Sequence, residues 1–566
     1  MSASSPAPDP QAPASAASDP SGETTLSGHA GTLALAAARA HGADTLFTLS
    51  GAHIFPFYDA AVTTEPMRLV DVRHEQSAVF AAEAVGKLTR RPGLAAVTAG
   101  PGVTNTVSAV TQAQASGVPL VVLGGRAPAF RWGSGALQEL DHPPLLAPVT
   151  KAAWTAATAA DVHPAVHEAF RIASLPHRGP VFLDIPMDQL FSHATVRAGP
   201  MPEPVPVPPD PDDVTAVATL LAAAQRPVLV LGSDVWLDGA QEAARALVEV
   251  TGVPVVANGM GRGILPAGHP RLVSKARAAA FGGADLVVVV GTPLDFRLGY
   301  GVFGSARVAH LADSPSQVAT HVDLAASASG SLGLVLDGVR EAWEAAGAHP
   351  DLTGWQDDLI GQVAAASDRD TTLLRAEAPG GIHPARVYGA LLPELGTDTV
   401  VVADGGDFVS WAGKFVEPAR PGGWLDPGPY GCLGAGLGAA LGAAVARPGD
   451  PIVVLLGDGA AGFALAELDS LVRHRVPALV VVGNNGAWGL EKHPMRLLYG
   501  YDVLADLRRD SRYDQVAEAL GGAGETVTDP AGLPDAIRRG LAAGLPYVLN
   551  VLLDPEVAYP RTTTGI

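Results

Sequence analysis

The sequence has little cysteine, little charge and no long run of apolar residues. It holds a single cysteine, Cys432, so no disulfide can form within the chain, and we expect a reducing, cytoplasmic environment. Charged residues make up 17% of the 566 positions, and acidic residues outnumber basic ones to give a net charge of −20. This balance argues against a nucleic-acid partner. No apolar run reaches the length that crosses a bilayer, so we expect no membrane partner either.

Apolar residues are instead abundant, at 48% of the chain, and they come in short runs. These runs are continuous rather than alternating, and most end in Gly, Asp or Asn, which is typical of strands buried on both faces of a parallel sheet. Ala- and Leu-rich helical patterns separate them. The predicted strands are Pro119–Leu123, Pro227–Leu231, Leu286–Val290, Val400–Val402, Ile452–Leu456, Ala478–Val482 and Tyr547–Leu552. The pattern predicts an α/β protein of three doubly wound parallel-sheet domains.

Two interruptions divide the chain. A proline-dense segment, Gly199 to Pro211, excludes regular structure, and a helix-like stretch from Ala345 ends at Pro379-Gly380-Gly381. The first residues are rich in Ala, Ser, Pro and Asp without an apolar centre, which favours a disordered tail over a signal peptide. The predicted divisions are a disordered tail at 1–25, domains at 26–198, 212–345 and 380–553, and a C-terminal lid segment at 554–566.

Two neighbouring predicted strands of the third domain end in polar residues suited to a metal. One strand ends in Gly457-Asp458-Gly459 and the next in Gly483-Asn484-Asn485. Carboxylate and amide oxygens suit Mg²⁺, which often bridges protein to phosphate. The glycines let a phosphate approach the backbone, and a helix expected from Phe463 directs amide groups toward the same anion. For Gly-Asp-Gly alone a simple turn is the better interpretation, but the Asn-Asn partner favours a metal-diphosphate site.

This pair of motifs resembles the metal-diphosphate motif of thiamine-diphosphate (ThDP) enzymes. Two further motifs occur in the order typical of the acetolactate synthase and 2-hydroxyacyl-CoA lyase group: Arg73-His74-Glu75 at an expected strand end, then Gly100-Pro101-Gly102 followed by Asn105. The resemblance extends from about Thr32 to the C-terminus. It implies Mg²⁺ held by Asp458, Asn485 and the backbone carbonyl of Ala487.

The resemblance also assigns roles around the cofactor. Glu75 is implied as the catalytic acid that shares a proton with the aminopyrimidine ring, a task suited to a partly desolvated carboxylate. Leu433 is implied as the apolar residue that holds the cofactor bent, although it also suits plain packing between a strand and a helix. The remaining cofactor-binding candidates are Gly431, Gly405, Asp407, Phe408, Gly457, Gly459, Ala460, Asn105 and Asn485. This family places its active sites between subunits, which implies a homodimer or homotetramer.

The sequence of the central domain helps to choose between an acetolactate synthase and a 2-hydroxyacyl-CoA lyase. Acetolactate synthases carry a Gly-Met-His-Gly segment near a flavin, whereas His269-Pro270 here is followed by Arg271, Lys275 and Arg277. That pattern resembles the CoA-processing lyases, whose central domain holds ADP, and it places Arg277 near the CoA nucleotide. A solvated helix face accounts equally well for Arg271 and Lys275.

Further candidates follow from the same resemblance. Glu491 is expected to place an acid beside the thiazolium ring, with an exposed glutamate at a helix start as the alternative. His53 is a weaker candidate for proton transfer. The candidates for contact with an acyl-CoA are Arg277, Gln138, Trp488, Tyr559 and Arg561.

We therefore expect a ThDP- and Mg²⁺-dependent lyase that splits a 2-hydroxyacyl-CoA into formyl-CoA and an aldehyde or ketone, closest to the bacterial lyases. The alternative is an acetolactate synthase that condenses pyruvate and holds FAD in its central domain. A catalytically silent binding protein of the same fold is a third hypothesis. The joint presence of Glu75, Asp458 and Asn485 argues against it, because mere binding requires none of them.

Overall fold

The computed structural model describes residues 24–199 and 205–560. Three parallel sheets covered by helices lie in order along the chain, so the predicted α/β fold with three doubly wound sheets is confirmed. In the described ranges no helix is both long and apolar enough to cross a membrane.

The first sheet has six strands in the order β3-β2-β4-β5-β7-β6. Its strands are β2 (Thr45–Thr48), β3 (Arg68–Asp71), β4 (Gly93–Val97), β5 (Leu120–Arg126), β6 (Ala152–Thr155) and β7 (Pro180–Pro186). Its helices are α1 (Ala30–Ala40), α2 (Phe55–Thr63), α3 (Glu75–Thr89), α4 (Pro101–Thr104), α5 (Val107–Ala115), α6 (His142–Leu146), α7 (Ala159–Ser174) and α8 (Met187–Phe191). Strands β4, β5 and β7 have no exposed residue, as expected for a sheet covered on both faces.

The second sheet has five strands in the order β10-β9-β11-β12-β13. Its strands are β9 (Pro227–Leu231), β10 (Val255–Ala257), β11 (Leu286–Val290), β12 (Arg307–Ala312) and β13 (Ala326–Ser329). Its helices are α9 (Pro211–Ala223), α10 (Ser233–Leu237), α11 (Gln241–Thr251), α12 (Arg277–Gly283) and α13 (Leu332–Ala346), and α14 (Thr353–Leu373) leads on to the third sheet. The Val-rich strands β9 and β11 pair at the centre, where branched side chains pack well.

The third sheet has six strands in the order β15-β14-β16-β17-β19-β18. Its strands are β14 (Val400–Asp404), β15 (Trp424–Leu425), β16 (Ile452–Gly457), β17 (Ala478–Asn484), β18 (Ala523–Val527) and β19 (Tyr547–Leu552). Its helices are α15 (Pro384–Leu391), α16 (Gly406–Phe415), α17 (Gly436–Ala446), α18 (Asp458–Ala464), α19 (Glu467–Arg473), α20 (Gly489–Tyr499), α21 (Tyr513–Ala519) and α22 (Leu533–Ala542). Helix α17 packs along α3, so one apolar cluster joins the first and third sheets.

An antiparallel ribbon was not expected from the sequence. Strand β1 (Thr24–His29) pairs with β8 (His193–Ala198). The predicted disordered tail at 1–25 is therefore wrong for Thr24 and Thr25, because backbone pairing with Ala198 and Arg197 orders them. The rest of that tail, residues 200–204 of the proline-dense segment and the end of the predicted lid from 561 onward lie outside the described residues.

Candidate active site

The strand order of the third sheet places its binding edge between β14 and β16. In doubly wound sheets a ligand binds at the carboxyl ends of strands where the order reverses, and β14 and β16 are such neighbours. Gly405 follows β14 with φ of +77°. A Cβ atom there would lie 2.7 Å from Leu433 Cδ2 and 2.6 Å from Ala460 Cβ. Glycine is thus required for the close approach of three segments at this edge.

Asp458 begins α18 at the end of β16, with 3% of its surface exposed. Its carboxylate accepts hydrogen bonds from the backbone N–H groups of Gly486, at 2.8 Å, and Gly459, at 3.1 Å. Burial raises its pKa to about 6, although these amides act in the opposite direction. Within the described residues no lysine or arginine forms an ion pair with it. A buried carboxylate in this state favours a bound cation as its partner.

Helix α18 begins at Asp458, so the expectation of a helix beginning at Phe463 is wrong. The chain turns directly from strand β16 into helix α18, and Gly457 is the residue that caps the start of the helix. Asp458 therefore lies in the first turn, where the helix dipole stabilises a carboxylate. Phe463 lies at the far end of the same helix, and its ring meets Trp488 edge-on at 6.3 Å between centroids.

Asn485 and Ala487 lie in the turn after β17, the strand next to β16. Asn485 Oδ1 accepts a hydrogen bond from the N–H of Ala487 at 3.1 Å, which holds the turn closed. The Trp488 ring packs on Gly459, where a Cβ would lie 2.4 Å from the ring. The structure thus brings the oxygen-bearing groups predicted for the metal to adjacent strand ends, and their chemistry suits Mg²⁺.

The loop that carries Leu433 is held by a buried carboxylate that is not among the predicted site residues. Asp404, at the end of β14, accepts hydrogen bonds from the N–H groups of Gly434, at 3.2 Å, and Gly436, at 2.8 Å. It is buried, and burial raises its pKa to about 6. Asp404 therefore fixes the half-buried Leu433 side chain against Gly405. Gly431, at the start of this loop, is exposed.

Two of the predicted cofactor-binding residues, Asp407 and Phe408, lie at the start of α16. Phe408 packs on Gly483 of β17, where a Cβ would lie 2.4 Å from its ring. Asp407 is buried and accepts hydrogen bonds from the N–H of Tyr559 at 3.0 and 3.1 Å. The Tyr559 ring meets Trp411 edge-on at 5.1 Å between centroids. The chain after β19 thus returns to the cofactor edge through Asp407, while Arg561 lies outside the described residues.

Glu75 belongs to the first domain, where it begins α3 rather than ending a strand. Strand β3 ends at Asp71, and His74 caps the helix by accepting a hydrogen bond from the N–H of Gln76. The Glu75 side chain is buried, with 8% of the residue exposed. The Asn105 Nδ2 amide donates a hydrogen bond to Glu75 Oε2 at 2.9 Å. Asn105 therefore orients the carboxylate that the resemblance makes catalytic.

The Gly100 turn near this pair is fixed by an unpredicted buried histidine. His142 Nε2 accepts a hydrogen bond from the N–H of Gly100 at 2.9 Å, so His142 Nδ1 carries the proton given to Asp184 Oδ2 at 2.9 Å. Gln138 lies against Gly100, and its Cβ is 2.8 Å from the position of a Cβ on that glycine. The structure therefore assigns Gln138 to this turn.

His53 lies at the carboxyl ends of β2 and β4, the point where the first sheet reverses its order. Its Nδ1 contacts Thr98 Oγ1 at 3.1 Å. Burial lowers its pKa. His53 is therefore neutral at pH 7 and positioned by Thr98.

Glu75 and Asn105 lie in the first domain, whereas Asp458 and Asn485 lie in the third. In the described part of the chain no hydrogen bond or ion pair joins Glu75 or Asn105 to Asp458 or Asn485. The first and third domains instead meet beside Glu75, where the Glu467 carboxylate accepts hydrogen bonds from the N–H groups of Arg73 and His74 at 3.0 to 3.1 Å.

Glu491 lies in the first turn of α20 and is exposed. The next residue, Lys492, is buried and pairs with Asp506 at 2.6 Å. The proximity of Glu491 to a bound cofactor stays a prediction.

Arg277 lines a cavity of about 330 Å³ between the central and third domains. Its guanidinium donates to the carbonyl of Arg297, and burial lowers its pKa. Lys275 faces Asp370 at 3.7 Å, and Lys414 of α16 contacts the same carboxylate at 2.7 Å. These contacts tie the two domains together.

Family comparisons cover most of the chain. Residues 29–145 match the N-terminal TPP binding domain of thiamine pyrophosphate enzymes, residues 214–339 match the central domain, and residues 404–551 match the C-terminal TPP binding domain.

Sequence identity to individual relatives differs between the synthase and the lyases. The acetolactate synthase large subunit IlvG of Mycobacterium tuberculosis is 48% identical over 539 residues, which cover 94% of this chain and 97% of the relative. The 2-hydroxyacyl-CoA lyase 2 of Caenorhabditis elegans is 34% identical over 88% of this chain and 85% of the relative. The human 2-hydroxyacyl-CoA lyase 2 is 33% identical over 93% and 90%. The expectation of a 2-hydroxyacyl-CoA lyase is therefore wrong, because the higher identity lies with a synthase.

The wrong expectation came from the basic residues of the central domain. Arg277 is expected to contact a CoA nucleotide, and in the fold its guanidinium donates to the carbonyl of Arg297. Trp488 is another candidate for contact with CoA, and its ring fills the space over Gly459. Both roles stay predictions. Both residues have structural contacts that a single sequence does not reveal.

Proposed function

This chain belongs to the thiamine pyrophosphate enzymes of the acetolactate synthase and 2-hydroxyacyl-CoA lyase group, and on that premise we propose that it is an acetolactate synthase. The proposed reaction decarboxylates one pyruvate and joins the remaining two-carbon unit to the carbonyl carbon of a second. One proton is taken up, and acetolactate and carbon dioxide are released. The observation that carries the proposal is the 48% identity to a synthase over 94% of this chain.

The third domain supplies the residues that would hold Mg²⁺ and the diphosphate. Asp458 would give a carboxylate oxygen, Asn485 an amide oxygen and Ala487 a carbonyl oxygen. A cation there would compensate a buried charge that now receives only backbone hydrogen bonds. The close packing at Gly405 keeps the backbone near the phosphates, and Leu433 would press on the ring system from the side.

ThDP, when bound, supplies a thiazolium ring that stores the electron pair of the broken carbon–carbon bond. The protein's own contribution is to hold a proton at Glu75 Oε1 or Oε2 next to a ring nitrogen. Asn105 fixes the orientation of this carboxylate through the 2.9 Å hydrogen bond. Burial of Glu75 excludes the water that would otherwise compete for the proton.

We further propose that two chains share each site. Glu75 lies in the first domain and Asp458 in the third, although both roles belong to one cofactor. A twofold dimer would bring Glu75 of one chain to Asp458 of the other and the reverse, which forms two equivalent sites.

Product analysis tests the proposed activity. The purified chain is incubated with ThDP, Mg²⁺ and pyruvate, and acetolactate is measured after acid conversion to acetoin. We expect acetolactate and carbon dioxide in equal amounts, and neither product without ThDP. Consumption of a 2-hydroxyacyl-CoA with no turnover of pyruvate would contradict the proposal.

A further inference from the structure

The strand order of the central sheet identifies where a nucleotide would bind. In a sheet of this kind the ligand binds at the carboxyl ends of the two neighbouring strands between which the strand order reverses. Here these strands are β9 and β11. A cavity of about 310 Å³ opens at their carboxyl ends, lined among others by Ser233, Asp234, Gly291 and Thr292. The family resemblance implies FAD or ADP in this domain, and both bring a diphosphate.

Two backbone donors at this edge are already used. The N–H of Gly232 donates to the carbonyl of Val290 at 2.8 Å, and the N–H of Asp234 donates to the carbonyl of Gly291 at 2.9 Å. A Cβ at Gly232 would lie 2.3 Å from Gly291 O, so the two loops are in direct contact. A diphosphate binds to free N–H groups at the start of a helix. At the start of α10 the N–H groups of Gly232 and Asp234 are not free, and the helix has only five residues.

The side chains at the same edge have the wrong charge for a diphosphate. Asp234 and Asp313 are both buried, and His177 of the first domain lies between them. His177 Nδ1 is 3.1 Å from Asp313 Oδ2 and 3.8 Å from Asp234 Oδ2. Two carboxylates face one imidazole, so its charge is compensated within the cluster, and burial raises the pKa of Asp234 to about 7. A diphosphate placed beside these three groups would meet acceptor oxygens and an imidazole that is already paired.

Several cations of the central and third domains are engaged by other partners. Arg262 donates to the carbonyls of Gly413 and Val416, and Arg277 donates to the carbonyl of Arg297. The Arg297 guanidinium pairs with Asp295 at 2.7 Å. Lys275 and Lys414 share Asp370.

From these contacts we infer that the central domain of this enzyme binds neither FAD nor ADP at the β9–β11 edge. The His177–Asp234–Asp313 cluster instead connects the first domain to the central one. The inference depends on the central domain alone and holds whichever 2-oxo acid the enzyme uses. It differs from both cofactor expectations for this domain, ADP and FAD, which stay predictions.

The purified holoenzyme provides the test. The protein is produced with ThDP and Mg²⁺, its absorption is recorded from 350 to 500 nm, and nucleotides released by acid are identified by chromatography and mass spectrometry. We expect ThDP in the extract, no flavin band, and no stoichiometric FAD or ADP. Calorimetric titration with FAD and with ADP should show no saturable binding below about 1 mM. Stoichiometric FAD or ADP, or a dissociation constant in the micromolar range, would overturn the inference.

A variant pair measures the contribution of the carboxylates. Asp234→Asn with Asp313→Asn removes both carboxylates, and Asp337→Asn, a half-buried position on α13 of the same domain, serves as a control for charge. If repulsion dominates, the double variant gains measurable ADP affinity and the control does not. If the closed backbone dominates, neither variant binds. Both outcomes support the inference. Binding of ADP by the wild type and by all variants alike would contradict it.

Discussion

At the scale of single residues, backbone amides position the acids of this site more than cations do. Asp404 and Asp458 are buried at neighbouring strand ends, and each accepts two backbone hydrogen bonds. Burial nevertheless raises the pKa of both to about 6. Asp404 uses its hydrogen bonds to hold the Leu433 loop. Asp458 faces the Asn485 turn, so it is the carboxylate available to a metal.

Glu75 is the residue whose chemistry is most directly testable. Glu75→Gln keeps the size of the side chain and the contact with Asn105 but removes the group that holds a proton. We expect turnover of pyruvate to fall about a hundredfold or more. The affinity for ThDP, measured by quenching of tryptophan fluorescence, should change little. Glu341→Gln removes an equal charge from an exposed site on α13 and should leave turnover unchanged. Wild-type turnover in Glu75→Gln would refute the catalytic role.

At the scale of elements, the contact between α3 and α17 connects the first domain to the third. Gly442 lies where the two helices are in closest contact, and a Cβ there would lie 2.1 Å from the carbonyl oxygen of Ala81. The helices must separate to admit even a methyl group, and tightly packed interiors resist such a change.

Gly442→Ala should therefore destabilise the protein. We expect a loss of about 1–3 kcal/mol, seen as a lower melting temperature in a circular dichroism scan. Gly361→Ala in α14 is the matched control, since a Cβ there meets open space and alanine is the better helix former by about 1 kcal/mol. A melting temperature for Gly442→Ala equal to that of Gly361→Ala would show that the two helices do not need close contact.

A second element-scale feature is the histidine cluster between α1 and α7. His41, which caps α1, contacts His167 of α7 at 3.0 Å, and the rings of His163 and His167 lie 4.4 Å apart. Burial, and then the neighbouring His167, lowers the pKa of His41 and of His163 from 6.5 to about 4. Between these values the unfolded chain binds protons that the folded chain does not. The free energy of unfolding therefore falls as pH drops through this window and is fully recovered above pH 6.5.

The pH dependence of thermal unfolding tests this cluster. The melting temperature should decrease from pH 6.5 to pH 4, and His163→Gln should decrease less steeply because one titrating ring is gone. His193→Gln removes an exposed histidine on β8 and should follow the wild type. Equal slopes for His163→Gln and the wild type would show that His163 takes no part in the effect.

At the scale of the whole molecule, the buried strands and the proximity of Asp458 to the turn after β17 were predictable from the sequence. Strands β9, β11 and β19 have the predicted bounds, because continuous branched runs have few other folds available. The ribbon of β1 and β8 was not predicted, since β1 has no apolar pattern and the two partners are far apart in sequence. Asp404 and His142 were missed for a related reason. Their partners are backbone N–H groups of distant segments, and no residue type marks such a contact.

The first and third sheets share one strand order, with each sheet reversing between its first and third strands in sequence. Candidate cofactor residues lie at that reversal in both sheets: His53 and the Gly100 turn in the first, Gly405 and Asp458 in the third. Two similar domains with complementary half-sites are suited to a twofold dimer in which each chain completes the other.

Mixing two inactive variants tests whether Glu75 of one chain and Asp458 of another serve the same site. Glu75→Gln and Asp458→Asn should each be inactive alone, one through proton transfer and the other through metal binding. In a mixed dimer with shared sites, one site carries both substitutions and the other carries none. Random exchange makes half of the dimers mixed, so about a quarter of the wild-type activity should return. If both residues served the same site within one chain, every site in the mixture would carry a substitution, and the mixture would stay inactive after exchange is confirmed by mass spectrometry.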